Sequence, residues 1–281
     1  MNAVESLATV LLERMAVTGP PDLAVIAKKI GLRIKEVDAD GFDGTLVRAV
    51  DGPKGIIAVN SAIPERSRKR FTIGHEIGHY LIPHHRFLKN LCGAQDIERW
   101  HAEVASAERE ANQFAAELLL PRSLVAPILG LNDPSLHTIR KVAAEFSTSM
   151  TATTYRFLEL TNCACCMVWS EAGHAKWYVH SDAFTLPLPI SQLPAARSWA
   201  ARLFAGENAP DDLVEVPIDA WLNRWDSSRV RRVLEHSVPL RSYGAVLSFL
   251  EFALETDEAE DDDDTPLHSL DPHRYDSRLR R

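Results

Sequence analysis

The sequence predicts an α+β protein in which a mostly helical domain with a small N-terminal sheet precedes a mixed α/β domain. Three observations predict it. Apolar residues recur at helical spacing through most of the first 160 or so positions, interrupted by three short extended runs between residues 32 and 59. After residue 161 the texture changes to aromatic and β-branched runs between turn signals. A length of 281 residues, 46% hydrophobic and 25% charged, suits a globular chain with a sizeable core, and it excludes collagen-like, coiled-coil and wholly disordered classes.

Residues 4–15 read as a first helix. After the Gly19-Pro20-Pro21 break, Asp22 can cap a second, with Leu23, Ile26, Ala27 and Ile30 on one face and Gly31 ending it. Leu32, Ile34 and Val37 suggest a strand, Thr45-Leu46-Val47 another, and the turn Asp51 to Gly55 leads into a third at Ile56-Ile57-Ala58-Val59. A helix is expected from about Glu65 to Tyr80, then a polar loop, then a long helix from about Ala102 to Leu120 stopped by Pro121. A helical pair covers about 135–160. The later strands are centred on Met167-Val168-Trp169, Lys176-Trp177-Tyr178-Val179, Leu213-Val214-Glu215-Val216 and Ala245 to Phe249. The expected organisation is therefore residues 1–134 as the helical domain, 135–161 as a helix-turn-helix-like hairpin and 162–254 as the mixed domain. Residues 255–281 are an acidic tail, for which disorder is the default reading.

The run Glu255 to Asp264 holds eight acids, as many charges as the whole chain's formal net of -8, with the first 254 residues at -2 and the last 17 at +2. The remainder sums to about zero, so composition neither requires nor forbids a nucleic-acid or acidic partner. Four cysteines, three of them crowded into Cys163, Cys165 and Cys166, cannot act as a disulfide framework, and a reducing, cytoplasmic setting fits. Glu5 and Glu13 interrupt the first apolar stretch, which therefore reads as a helix rather than a signal peptide. No uncharged apolar segment approaches the ~18 residues that a membrane span needs.

His75-Glu76-Ile77-Gly78-His79 carries the chemistry. On a helix, a spacing of four residues is about 40° past one turn with a rise of about 6 Å, so both imidazoles leave one face and reach one ion. Neutral imidazoles suit zinc, and a tetrahedral catalytic site needs one further protein ligand and a position for water. Glu76 is placed to take that water's proton. The competing explanation is a chance pentapeptide on a solvated helix. Gly74 and Gly78 weigh against it, because they share a stripe although each costs about 1 kcal/mol relative to Ala in a helix. Something approaches that face closely, and a neighbouring helix is the commoner cause.

For the third ligand, His85 has the spacing of an H-E-x-x-H-x-x-G-x-x-H scheme, which needs a glycine where this chain has Ile82. The alternative is a carboxylate from the later helix. There Val104, Glu108, Ala111, Ala115, Leu118 and Leu119 share one face, so Glu108 lies on an inward apolar stripe, where a buried carboxylate needs a partner. Glu103, Glu110 and Glu117 fall on the other side and read as solvated. Asn112, one turn after Glu108, can hold a ligand histidine by its outer nitrogen or simply bond to backbone.

The stretch Arg70-Phe71-Thr72-Ile73-Gly74-His75-Glu76-Ile77-Gly78-His79, followed by Glu108-Arg109-Glu110-Ala111-Asn112-Gln113-Phe114-Ala115-Ala116-Glu117-Leu118-Leu119-Leu120-Pro121, resembles the ImmA/IrrE zinc metallopeptidases. Ala58-Val59-Asn60-Ser61 and the Asp22 to Gly31 helix extend the resemblance over about residues 20–160. It implies a zincin-like metallopeptidase domain, with Zn2+ held by His75, His79 and Glu108, the last in agreement with the stripe argument. It further implies a gluzincin-like endopeptidase that cleaves a helix-turn-helix repressor and relieves repression of stress or mobile-element genes. Some members of the family carry GAF-like domains, and by analogy the C-terminal domain is read as sensory. Tyr80, His84, His85 and His101 are the nearby candidates for stabilising an oxyanion. An edge strand carrying Val47 or Val59 is expected to pair with extended substrate.

The other signals are weaker. The segment Ile139 to Phe157 has a helix-turn-helix shape, but its second helix opens Met150-Thr151-Ala152-Thr153-Thr154 with only Arg156 basic, which favours a structural hairpin over DNA binding. Cys163 and Cys166 form a lone C-x-x-C and read as buried small hydrophobes. The basic run Arg66, Arg68, Lys69, Arg70 reads as a solvated helix start, with attraction of acidic substrate as the alternative. Trp169, Trp177, Trp199, Trp221 and Trp225 read as core. The competing function, from a different class, is a DNA-binding transcriptional regulator in which zinc is structural.

Overall fold

The computed structural model describes residues 2–38, 41–49, 54–90, 97–188, 196–223 and 226–255, and the backbone alone at 87–90, 97–104 and 242. The turn at Asp51 to Pro53, Trp225 and the tail beyond Glu255 lie outside the described residues, as do the side chains of His101, Glu103 and Val104. The chain is mixed α and β with two sheets.

Helix α1 (Ala3–Arg14) starts in a capping box, with Asn2 accepting from the Val4 and Glu5 N–H groups and Glu5 accepting from the Asn2 N–H at 2.8 Å. Asp22 caps α2 (Leu23–Lys29), and Gly31 leaves it at φ 88°. Strands β1 (Leu32–Val37), β2 (Gly44–Arg48) and β3 (Gly55–Asn60) form a sheet in the order β1-β3-β2, with β1 parallel and β2 antiparallel to β3. Central β3 buries Ile57 and Val59, so Val59 is on no edge; Val47, on edge strand β2, is exposed.

Helix α3 (Arg66–Leu81) leads into a 3-10 helix at Pro83–Asn90 and then into α4 (Ile97–Leu119). Ile57, Val59, Ile77, Phe114 and Leu118 build one core with Ala8, Leu12, Leu23 and Ile26. Helix α4 is thereby covered by α3 on one side and by α1 on another. That second covering corrects the expectation for Glu117, which is only 2% exposed. Short α5 (Arg122–Val125), α6 (Leu136–Phe146) and α7 (Met150–Leu160) follow, and α7 buries Arg156, 3% exposed, against Glu117 at 3.2 Å. The single basic side chain of α7 is thus engaged inside the protein and does not face a phosphate backbone.

The second sheet is wholly antiparallel, in the order β5-β4-β8-β7-β6, from β4 (Cys165–Glu171), β5 (His174–His180), β6 (Val214–Val216), β7 (Val230–Leu240) and β8 (Ala245–Leu254). Strand β7 and helix α8 (Trp199–Phe204) are absent from the sequence-based expectation; Arg231-Arg232 and Pro239 mask the alternation of β7. Both faces of the sheet are covered. Cys166, Val168, Val246 and Leu250 face one cluster with Phe184 and Trp221, while Cys165, Met167, Leu247 and Phe249 face the other with Ile139, Phe146 and Phe157 of α6 and α7. Burial on two faces explains why these strands read as continuous apolar runs. Cys165 and Cys166 are buried on opposite faces, and burial pushes both thiols well above the usual range. No helix among the described residues is long and apolar enough to cross a membrane.

Candidate metal centre

Helix α3 begins with four basic residues where the helix dipole disfavours them. Partners offset this: Arg68 makes two hydrogen bonds to Asp43 at 2.8 and 2.9 Å, Lys69 bonds Glu36 at 2.7 Å, and Arg70 donates to the Pro21 carbonyl at 2.9 Å. The run therefore ties α3 to the N-terminal elements rather than standing as a free patch. At the other end Arg48 of β2 donates to the carbonyls of His79 and Tyr80, placing a cation at the helix C-terminus.

The glycine stripe sets the spacing between the two helices that carry the donors. A Cβ on Gly78 would lie 3.1 Å from Phe114 Cδ1 and 3.3 Å from the Ala111 Cα; one on Gly74 would lie 3.4 Å from Ala115 Cβ. A neighbouring helix is what approaches. Gly78→Leu is expected to destabilise the chain by about 1–3 kcal/mol through overpacking and to weaken metal binding by spreading α3 from α4. Denaturant titration and metal analysis check this; unchanged metal affinity would show that helix spacing does not set the site.

His75 Nε2 and His79 Nε2 lie 3.0 Å apart, and Glu108 reaches them with Oε2 at 3.0 Å and Oε1 at 3.2 Å. A tetrahedral ion with ligand bonds of about 2.0–2.1 Å separates its donors by about 3.3 Å, and the two nitrogens and the Glu108 oxygen nearest each lie within a few tenths of an ångström of that spacing. Burial, with the charges of His75, His85 and Arg48, pushes the His79 pKa down to about 3, which keeps the ring neutral and able to ligate. Glu76 is buried on the same helix. Glu108 is 51% exposed on its side chain, against the expectation of burial on the stripe. The stripe leaves the core between Ala111 and Glu108, and the carboxylate looks outward over the histidines. The donor set is consequently open to solvent on the Glu108 side.

Each histidine is held from behind. Asn112 Oδ1 lies 2.9 Å from His75 Nδ1. His79 Nδ1 lies 3.0 Å from His85 Nδ1, and His85 Nε2 lies 3.3 Å from Glu110 Oε2. His85, whose side chain is 1% exposed, thus stands behind His79 rather than beside His75 as a third ligand. Burial lowers its pKa, against the raising effect of Glu110. The expectation that Glu110 is solvated is corrected: it is partly buried and also meets His84 Nε2 at 2.7 Å. The polar loop expected after Tyr80 is a 3-10 helix at Pro83–Asn90, which is what turns His84 and His85 back toward α4; the sequence reading weighed both histidines but did not pair them with Glu110. Tyr80 is buried, with Arg48 over its ring at 5.0 Å.

A largely apolar cavity of about 550 Å3 opens beside Asn112, lined by Phe71, Gln113, Ala116, Leu119 and, from α7, Tyr155. A second cavity of about 530 Å3, between Arg122, Tyr155 and His180, touches none of the donors. Cys163 and Cys166 take no part in any donor cluster among the described residues.

Residues 27–158 match the family model described as the IrrE N-terminal-like domain. Over 148 residues the chain is 29% identical to the radiation response metalloprotease IrrE of Deinococcus radiodurans, a stretch covering 52% of this chain and 42% of that protein. The chain thus spans less than half the length of that curated relative. A solved structure titled Mycobacterium tuberculosis transcriptional regulator superposes with a TM-score of 0.50 at 14% identity, over 88% of this chain and 76% of the other, a likeness of fold alone.

Proposed function

Residues 27–158 belong to the ImmA/IrrE family, and from that premise we propose that the protein is a zinc-dependent endopeptidase of regulatory type whose substrate is a helix-turn-helix transcriptional repressor. The observation that carries the reading is the triangle of His75, His79 and Glu108, whose edges suit a tetrahedral zinc. In this reading α3 and the hairpin belong to a zincin-like domain of the gluzincin type, with Glu76 as general base. When bound, zinc supplies Lewis acidity, polarising the scissile carbonyl and lowering the pKa of a water.

The chain's own residues do the rest. Glu76 accepts the proton of the attacking water as its oxygen bonds to the scissile carbon, and then passes that proton to the amine nitrogen as the C–N bond breaks. Asn112 accepts from His75 Nδ1–H, which leaves Nε2 unprotonated toward the donor triangle. Arg48 fixes the end of α3 and with it His79. Edge strand β2, with Val47 exposed, is suited to pair with an extended substrate backbone.

The test is co-incubation of the purified chain with candidate repressors, beginning with any encoded beside its gene, with and without a chelator. Cleavage is expected only without chelator, and Asn112→Ala should lose metal to about tenfold less chelator. Cleavage that persists in excess chelator would sink the proposal.

A further inference from the structure

We propose that His84, His85 and Glu110 form a second divalent-cation site, and that His85, shared between this site and the hydrogen bond to His79, makes the two sites antagonistic. The inference rests on the assignment of His75, His79 and Glu108 as the first centre. The second cluster offers the same donor set, two imidazoles and one carboxylate, with ligand atoms within 4.8 Å of one another. His84 Nε2 lies 2.7 Å and His85 Nε2 3.3 Å from the same oxygen, Glu110 Oε2. The His85 separation equals the roughly 3.3 Å between donors of a tetrahedral ion, and the shorter His84 contact opens to it by a small rotation of that exposed ring.

Most of the site is already fixed. His85 is buried and engaged at both nitrogens, and Glu110 projects from α4. His84, 62% exposed, is the member that opens the cluster to solvent. The adjacent rings stand edge to face with centroids 4.7 Å apart, so both reach the same carboxylate.

The antagonism follows from hydrogen-bond roles. An ion on His79 Nε2 leaves that ring's proton on Nδ1, which donates to His85 Nδ1 across 3.0 Å. His85 must then accept at Nδ1 and carry its own proton on Nε2, pointing at Glu110. An ion on His85 Nε2 needs that nitrogen bare, which moves the proton to Nδ1 and sets two donors facing each other. Filling both sites therefore removes the support of His79, and losses of this kind weaken metal binding by about 10- to 100-fold. At low cation concentration the first centre fills alone; at high concentration the second acts as a brake on it.

Equilibrium dialysis of the metal-stripped full chain against a range of free zinc, with direct metal analysis, tests this. Two ions per chain are expected, the second about 10- to 100-fold weaker than the first. His84→Ala, a change at an exposed side chain, should bind one ion with the first affinity unchanged. His75→Ala removes a first-centre donor that does not touch His85, and the second site should then bind about tenfold tighter than in the unaltered chain. A single ion at every zinc concentration, or a second ion that survives His84→Ala, would overturn the site. An unchanged second affinity in His75→Ala would overturn the antagonism. Two ions per chain still bound by His75→Ala would instead sink the first-centre assignment, and since the expected result there is one ion, the two failures are distinguishable.

Discussion

Glu76→Gln should lower cleavage by about 10²–10⁴-fold, the range that positioned general acid–base catalysis supplies, while metal content stays the same. The substitution keeps the shape of the side chain and removes its charge and its capacity to take a proton. His75, His79 and Glu108 are untouched, and their mutual distances of 3.0 to 3.2 Å arise from the packing of α3 on α4 rather than from Glu76. Because Glu76 is buried, the exchange also swaps a buried carboxylate for a neutral amide, so denaturation of the variant belongs beside the kinetics. A variant that folds, holds metal as the parent does and still cleaves at the parent rate would remove Glu76 from the reaction.

The second large effect falls on stability. Arg156→Met should cost about 3–5 kcal/mol, the usual consequence of leaving one member of a buried ion pair without the other. Glu117 keeps a hydrogen bond from the Arg122 N–H at 3.1 Å and an ion pair with Arg122 Nε at 3.4 Å, which places the expected loss at the lower end. Burial already pushes the Glu117 carboxyl up, with Arg156 opposing that rise. Without Arg156 the carboxyl rises further, so the folded chain holds a proton that the unfolded chain has released. Stability then falls as pH increases through the interval above the unfolded value, and the deficit of the variant should shrink on acidification from pH 7 toward pH 5. Arg156→Met combined with Glu117→Met should recover much of the loss, since the unpaired charge is gone. Denaturant midpoints at the two pH values measure this, and a loss below about 1 kcal/mol for the single variant would show that the pair does not hold α7 to α4.

Glu117 and Arg156 also show where sequence reading stops. Glu103, Glu110 and Glu117 share a flank of α4 by helical periodicity, and one amphipathic pattern cannot say whether a second helix covers that flank. Helix α1, a hundred residues earlier in sequence, covers it at Glu117, where Thr9 Oγ1 lies 3.4 Å away, while at Glu110 the neighbours are His84 and His85. Arg156 has the same history: as the lone base of α7 it is the residue a DNA reader would present, and the fold turns it inward. Strand β7 failed for a related reason. Its charged and proline positions break the alternation that identifies a half-buried strand, while its pairing with β8 is fixed by a partner that follows it in sequence.

Local rules were sufficient elsewhere. The Asp22 cap, the end at Gly31, the H-E-x-x-H spacing and the Gly74, Gly78 stripe each concern residues within a turn or two of one another, where backbone geometry alone fixes which side chains share a face. Applied to α4, that logic put Glu108 on an inward buried stripe, whereas its side chain is 51% exposed beside His75 and His79. By itself the sequence determined that the chain mixes helices and strands and that His75 and His79 leave one face of a helix. Only the tertiary structure decided that β2 forms an edge, that His85 stands behind His79, and that Glu110 turns back to two histidines. Each is set by which surfaces pack together, even for His79 and His85, six residues apart across the end of α3, and helical or strand periodicity carries no information about that.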